Sequence, residues 1–288
     1  MVTRMSRAID TMHLGRDRVI VAYEREGVIV DPGPASTVAA LDGIEPRALL
    51  LTHIHLDHAG ASGTLVKRFP RLKVYVHERG APHLIDPAKL LRSATQLYGD
   101  DMDKLWGEFL PVPEENIEIL TGGETVEGLR VAYTPGHASH HVSYFDPDSG
   151  EVYTGDVAGV RTPPAQLVLP PTPPPDIDIE RWLESIDLVA AWKPETLCLT
   201  HAGKFGDVDR HLGEMREQLR RHADTARDGG EAGLLELIRS ETEDPGDPET
   251  AERYKQAAPP DQLWLGLERY WRKRREREEA AGEEAAAR

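Results

Sequence analysis

The sequence predicts an α/β sandwich, and three observations carry that prediction. A short apolar strand over residues 48–52 is followed by a loop, a helix and another strand, the β–loop–helix–β order of α/β architectures. Two hairpins of one design, near residues 19–30 and 141–154, each deliver an aspartate at the end of their second strand, which points to two related halves facing one another. Histidines and aspartates gather where strands end rather than inside them.

In chain order, Val19–Tyr23 and Gly27–Val30 read as the first hairpin, stopped by Asp31-Pro32-Gly33-Pro34. Ala48–Thr52 is short, apolar and unalternating, as a strand covered on both faces should be. Gly60–Phe69 carries a helix and Leu72–His77 a strand. Ala81–Gly107 has helical character and no strand patterning, and could cover a site. Leu129–Tyr133, the second hairpin and Thr196–Leu199 supply further strands. Residues 162–175 hold seven prolines, so this segment is extended and stiff, either a substrate wall or a plain connector. Beyond Gly206 the chain becomes helical and charged. There Leu263, Leu267, Tyr270 and Trp271 form a core-facing stripe, and a solvated helix or frayed tail follows from Arg272. The expected division is 1–206 for the sandwich and 207–288 for a C-terminal helical extension.

Bulk properties narrow the function. A net charge of -16 over 288 residues argues against nucleic-acid binding, which depends on Lys and Arg neutralising phosphates. One cysteine excludes an intrachain disulfide framework and a four-cysteine zinc site; Cys198 sits in an apolar run and reads as core. No apolar run is long enough to cross a bilayer and no leader pattern opens the chain, so no membrane partner and a cytoplasmic setting are expected. Oligomeric state is not legible.

The chemistry concentrates in His53-Ile54-His55-Leu56-Asp57-His58, directly after the buried strand. A strand end lets the following turn splay side chains toward a common point, as metal coordination requires. Other strand ends supply His137, Asp156 and His201, the last in Leu199-Thr200-His201, which echoes Leu51-Thr52-His53. Histidines of an ordinary core would not fall at four strand ends with an aspartate interleaved. Seven candidates exceed the four protein ligands of one structural zinc, so two ions sharing a bridging group fit better.

This pattern resembles the metallo-β-lactamase superfamily, particularly its glyoxalase II-like and lactonase-like hydrolases. The motif HxHxDH stands in full at 53–58, with His, Asp and His following in order at 137, 156 and 201, so the resemblance covers roughly residues 10–206. It implies an αββα sandwich with metals at one edge between the sheets. It further implies that His53, His55 and His137 bind one ion, that Asp57, His58 and His201 bind the other, and that Asp156 bridges them. His141 and Asp31 match residues that orient ligands in this family. His140, taken as the strand neighbour facing away from His141, is given no role. His13, His77, His83, His211 and His222 are read as structural or surface residues, with His83 at the start of the possible lid.

The cofactors expected are two Zn²⁺, with Fe or Mn as alternatives, since imidazole and carboxylate suit several first-row ions. Two ions lower the pKa of a shared water from ~15.7 towards neutrality, and the hydroxide so formed attacks a small ester, thioester or lactone carbonyl. Asp57, lying between ligands, is the candidate to take or relay a proton. Competing readings are a mononuclear iron sulfur dioxygenase on the same scaffold, and a ligand-binding or signalling protein that uses its metal site little. Walker, GxGxxG and GxSxG patterns are absent. Lys204 and Arg210 are the basic residues near the last motif, with no direction fixed by sequence.

Overall fold

The computed structural model describes residues 5–243 and 247–286, with side chains described through 283. Strands β1 (Arg7–Asp10), β2 (Val21–Arg25), β3 (Val28–Val30), β4 (Ala48–Leu50), β5 (Lys73–His77) and β6 (Ile117–Leu120) form a six-stranded sheet in that order. Strands β7 (Thr125–Val126), β8 (Leu129–Tyr133), β9 (Val142–Phe145), β10 (Glu151–Tyr153), β11 (Thr196–Leu199) and β12 (Gly203–Phe205) form the second, from β7 at one edge to β12 at the other. In each sheet an antiparallel hairpin, β2–β3 or β9–β10, hands over to a parallel neighbour, β4 or β11. The two related halves expected from the hairpins are thus present.

Period-two alternation sorts the strand side chains into layers. Val21, Tyr23, Val28, Val30, Leu50, Val142, Tyr144, Tyr153 and Cys198 meet between the sheets. Their neighbours Ala22, Ile29, Leu49 and Leu51 face the opposite way, toward helices. On the second sheet Val152, Leu197 and Leu199 do the same. β4 is buried on both faces, which is why its sequence shows no alternation.

The helices cover the two outer faces. They are α1 (Leu56–Ala59), α2 (Ser62–Arg68), α3 (Ala81–Ile85), α4 (Ala88–Tyr98), α5 (Met102–Trp106), α6 (Ile179–Ala191), α7 (Val208–Thr242), α8 (Pro248–Ala257) and α9 (Pro260–Ala286). The helix expected over 60–69 is present as α2, and a separate short helix before it, α1, contains Asp57 and His58. α7 is interrupted at Gly230, where φ is 63°. Leu212, Met215 and Leu219 of α7 and Leu263 and Leu267 of α9 join the apolar cluster on the second sheet. The fold is an αββα sandwich with a C-terminal helical region, as the sequence predicts. Strands β1, β6, β7 and β12 were not anticipated, because they are short and their residues are largely polar or half-exposed. Cys198 is core, and burial pushes its thiol pKa well up.

The proline-rich segment carries only an isolated bridge, Val160 with Leu169, and then runs extended against α9. The Thr172 hydroxyl donates to the Leu263 carbonyl at 3.0 Å. A Cβ placed on Gly266 would stand 1.9 Å from the Thr172 carbonyl oxygen, so only glycine allows this approach. Gly266→Ala is expected to destabilise the protein by about 1–3 kcal/mol through overpacking. A thermal melt reads this, and an unchanged Tm would show that helix and loop can part freely.

Candidate metal centre

The seven residues picked out by the sequence converge at one end of the sandwich. His53 and His55 follow β4, Asp57 and His58 lie in α1, His137 follows β8, Asp156 follows β10 and His201 follows β11. They fall into two sets whose ligand-type atoms lie within 4.8 Å of one another: His53, His55, His137 and Asp156, and Asp57, His58 and His201. His55 Nδ1 stands 2.9 Å from His53 Nε2 and 3.0 Å from His137 Nε2. These spacings are a few tenths shorter than the tetrahedral edge of about 3.4 Å that a ~2.1 Å zinc–nitrogen bond implies.

Asp156 stands between the sets. Its Oδ2 is 3.2 Å from His137 Nε2, while its Oδ1 is 3.2 Å from His58 Nε2 and 3.7 Å from His201 Nε2. Asp57 Oδ2 is 3.2 Å from His201 Nε2 and 3.8 Å from His58 Nε2. Despite these approaches, His58 Nε2 and Asp156 Oδ1 are buried without a hydrogen-bond partner. Unpaired polar atoms buried this close together suit a cation between them.

The far side of each ring explains which nitrogen is free. His137 Nδ1 donates to the Pro171 carbonyl at 2.9 Å and His201 Nδ1 to the Val19 carbonyl at 2.6 Å. His58 Nδ1 donates to Asp31 Oδ2 at 2.8 Å. The Thr52 hydroxyl donates to Asp31 Oδ2 at 2.7 Å, so toward His53 Nδ1, 3.1 Å away, it can only accept. In each of the four rings the Nδ1 proton is thus fixed on the far side, so that the neutral ring turns Nε2 to the centre, the arrangement that orients metal-binding imidazoles.

Charge gives the second test of fit. Three carboxylates, the buried Asp31 and Asp156 and the partly exposed Asp57, surround His58, and among the described residues none pairs with Lys or Arg. Burial alone would lower the His58 pKa, yet Asp156, Asp57 and Asp31 raise it well above the usual imidazole value. Burial would raise the Asp57 carboxyl, but His58 and the hydrogen-bonding His201 hold it below the usual range. Without an ion, an imidazolium stands in for the missing positive charge. In the other set, burial pushes the His55 pKa down to about 4, and burial with the adjacent imidazoles lowers His53. The donors fit divalent ions of the imidazole-and-carboxylate class.

Asp31 and His141 contact the candidate ligands, as residues that orient them would. Asp31 has a φ of 48°, a left-handed turn that aspartate tolerates, directly after β3. It also accepts from the Thr52 amide at 2.8 Å and the Thr200 hydroxyl at 3.0 Å, tying both Thr-His junctions together. His141 Nε2 accepts from the Asp156 amide at 3.2 Å, and its Nδ1 is 3.0 Å from the Thr134 hydroxyl. Gly155, with φ 49°, permits this approach: a Cβ there would meet Thr52 Oγ1 at 2.5 Å and His141 Nε2 at 2.6 Å. Asp31→Asn is expected to weaken metal binding by about 10–100-fold, because the amide cannot accept every donor that now converges on the carboxylate. Competition with a chromophoric chelator measures this, and an unchanged affinity would remove Asp31 from the account.

The centre opens into a cavity of about 530 Å³. Its walls include α4, α5, the end of α8 and Pro171 with Pro173–Pro175, so the proline segment serves as wall rather than mere connector and Ala81–Gly107 covers the site. Two expectations need correction here. His140 is not turned away: residues 139–140 form a turn rather than strand, so alternation does not apply, and the buried ring lies 5.9 Å from His55 in the cavity wall. His13, read as structural or surface, lines the same cavity, as does His83 at the start of the expected lid. Lys204 pairs with Glu151, Arg210 pairs with Asp207 and Glu214, and neither lines the cavity. Its wall cations are Arg79 and Lys89, which form no ion pair among the described residues.

Residues 19–201 match the family model described as metallo-beta-lactamase superfamily. The metallo-beta-lactamase fold-containing protein ST1585 of Sulfurisphaera tokodaii is 30% identical over 239 residues, covering 78% of this chain and 86% of that protein. A crystal structure of ST1585 aligns with a TM-score of 0.68 at 23% identity, covering 92% of this chain and 99% of that one. A hydroxyacylglutathione hydrolase of Synechococcus sp. is 31% identical over 135 residues, which cover 44% of this chain and 42% of that enzyme. The structure of TTHA1623 in a di-iron-bound form aligns at 28% identity and a TM-score of 0.50, covering 68% of this chain and 91% of that one.

Proposed function

This chain belongs to the metallo-β-lactamase superfamily, and from that premise we propose that it is a dinuclear metal-dependent hydrolase opening small ester, thioester or lactone carbonyls. The observation that carries the proposal is the pair of donor sets joined by the two oxygens of Asp156, each reaching one set. Zinc is the proposed metal, with iron as the alternative that the di-iron form of TTHA1623 supports. Two ions held there supply Lewis acidity and make water acidic enough to react near neutral pH.

The chain's own groups do the rest. His53, His55 and His137 hold one position and Asp57, His58 and His201 the other, with Asp156 setting their separation. Asp57 borders the cavity, so its carboxylate is placed to take a proton at the mouth of the centre and return it to a leaving group. Leu90, Leu97, Leu105 and Leu263 give the cavity an apolar wall that limits water and receives a substrate's hydrocarbon part. The commitments of Lys204 and Arg210 to acidic neighbours weigh against their gripping a glutathione carboxylate. Among the described residues no helix is long and apolar enough to cross a membrane; a cytoplasmic setting belongs to the same proposal.

Elemental analysis, paired with assays on simple lactones and acyl thioesters, tests this. The expected result is near two ions per chain, with turnover abolished by chelation and restored by zinc. One iron per chain without hydrolysis would overturn it.

A further inference from the structure

The segment between β1 and β2 is built to carry one side chain inward. It is closed by the Thr11 amide and hydroxyl, which both donate to the Ile20 carbonyl at 3.0 Å. The Asp10 carboxylate accepts from the amides of Met12 at 2.9 Å and Arg18 at 2.7 Å. Met12, Leu14 and Arg18 all adopt positive φ, at 52°, 53° and 57°. The outcome inverts ordinary partitioning: Met12 is 51% and Leu14 45% exposed, while His13 between them is 2% exposed. Folding for apolar burial alone would place either flanking residue inside instead.

The His13 ring stacks on Trp106, with centroids 5.4 Å apart and planes 9° from parallel. It lines the cavity together with Asp57, Asp156 and His201. Neither ring nitrogen has a hydrogen-bond partner among the described residues, and Nδ1 is fully buried, which leaves Nε2 as the nitrogen toward the cavity. From outside, Gln256 of α8 donates to the His13 carbonyl at 2.8 Å, and Arg253 pairs with Asp17 at 2.6 Å, so the segment is clamped. The same segment supplies the Val19 carbonyl that orients His201.

We propose that His13 is a substrate-binding residue whose imidazole hydrogen-bonds a polar atom beside the scissile carbonyl of an ester, lactone or thioester with an apolar chain, an assignment that rests on the hydrolase reading. A buried imidazole with unused hydrogen-bonding capacity, lining one cavity with Asp57, Asp156 and His201, has no structural task that phenylalanine could not perform. The site thus selects a carbonyl compound with one further polar atom close to the reacting group and hydrocarbon beyond it.

His13→Phe keeps the stacking on Trp106 and removes both nitrogens, while His13→Gln keeps a donor and an acceptor. Steady-state kinetics on C4–C8 lactones and acyl thioesters should show KM raised about tenfold in His13→Phe, with kcat, metal content and Tm near wild type. His13→Gln should recover most of the loss. An unchanged KM in His13→Phe, or KM changes that track lost metal or Tm in both variants, would overturn the proposal. If the wild-type protein holds its metals but hydrolyses nothing, the hydrolase reading fails separately. Histidine-¹⁵N spectra of the zinc-loaded protein then decide: a His13 ring signal that shifts and saturates with hexanoate supports the contact, and an unmoved signal refutes it.

Discussion

Asp156→Asn should empty the centre: metal content is expected to fall from about two ions to below one, and kcat/KM to fall on the order of 10³-fold, the scale of losing a preorganised charge at a reacting centre. The size follows from position. One oxygen of Asp156 lies 3.2 Å from His137 Nε2 and the other 3.2 Å from His58 Nε2, so a single carboxylate serves both donor sets. An amide keeps the shape but removes the charge and turns one of the two oxygens into a donor facing imidazoles. Asp57→Asn, by contrast, damages one set and should leave the other near full occupancy. Elemental analysis of both variants separates the cases, and equal losses would mean that Asp156 does not bridge.

The stabilisation conferred by zinc should grow with pH. In the metal-free protein, burial opposes the charge on His58 and His201, but the surrounding carboxylates raise both pKa values above 6.5. Groups raised in this way contribute stability that is fully present below about 6.5 and lost as pH rises through the folded values. Zinc needs the neutral rings, so binding must displace these protons, and apparent affinity should rise about tenfold per pH unit for each proton released. His53, His55 and His137, whose pKa values are lowered by burial, are already neutral at pH 7 and add nothing to this slope. Melting the chelated and zinc-loaded protein at pH 6, 7 and 8 should show the gap in Tm widening. A constant gap would mean that the rings of the second set are neutral before metal arrives.

What the sequence made legible was local. The run from His53 to His58 follows a strand whose unbroken apolar character reports burial on both faces, so motif and position could be read together. His137, Asp156 and His201 were found by the same logic of strand ends, and the stripe from Leu263 to Trp271 by its helical spacing. Long-range assembly was not legible. His13 enters the cavity because several left-handed residues turn the chain, and Trp106, with which it stacks, is almost a hundred positions away; a lone histidine between Met12 and Leu14 carries no such signal. His140 lies in a turn two residues before its strand begins, where alternation does not govern side-chain direction. Edge strands such as β7 escaped because two half-exposed residues leave no pattern.

The contact between α9 and the proline segment also sets an order of events during synthesis. The HxHxDH run leaves the ribosome early, whereas the carbonyl that aims His137 belongs to Pro171, and the next residue, Thr172, is braced by Leu263 and Gly266 close to the end of the described chain. Nascent chain lacking α9 would hold all seven ligand residues but lack the brace behind the carbonyl that aims His137. A centre whose ligand motif stands at residues 53–58 is thus braced by a helix some two hundred residues further along the chain, and α9 acts as its closing stay.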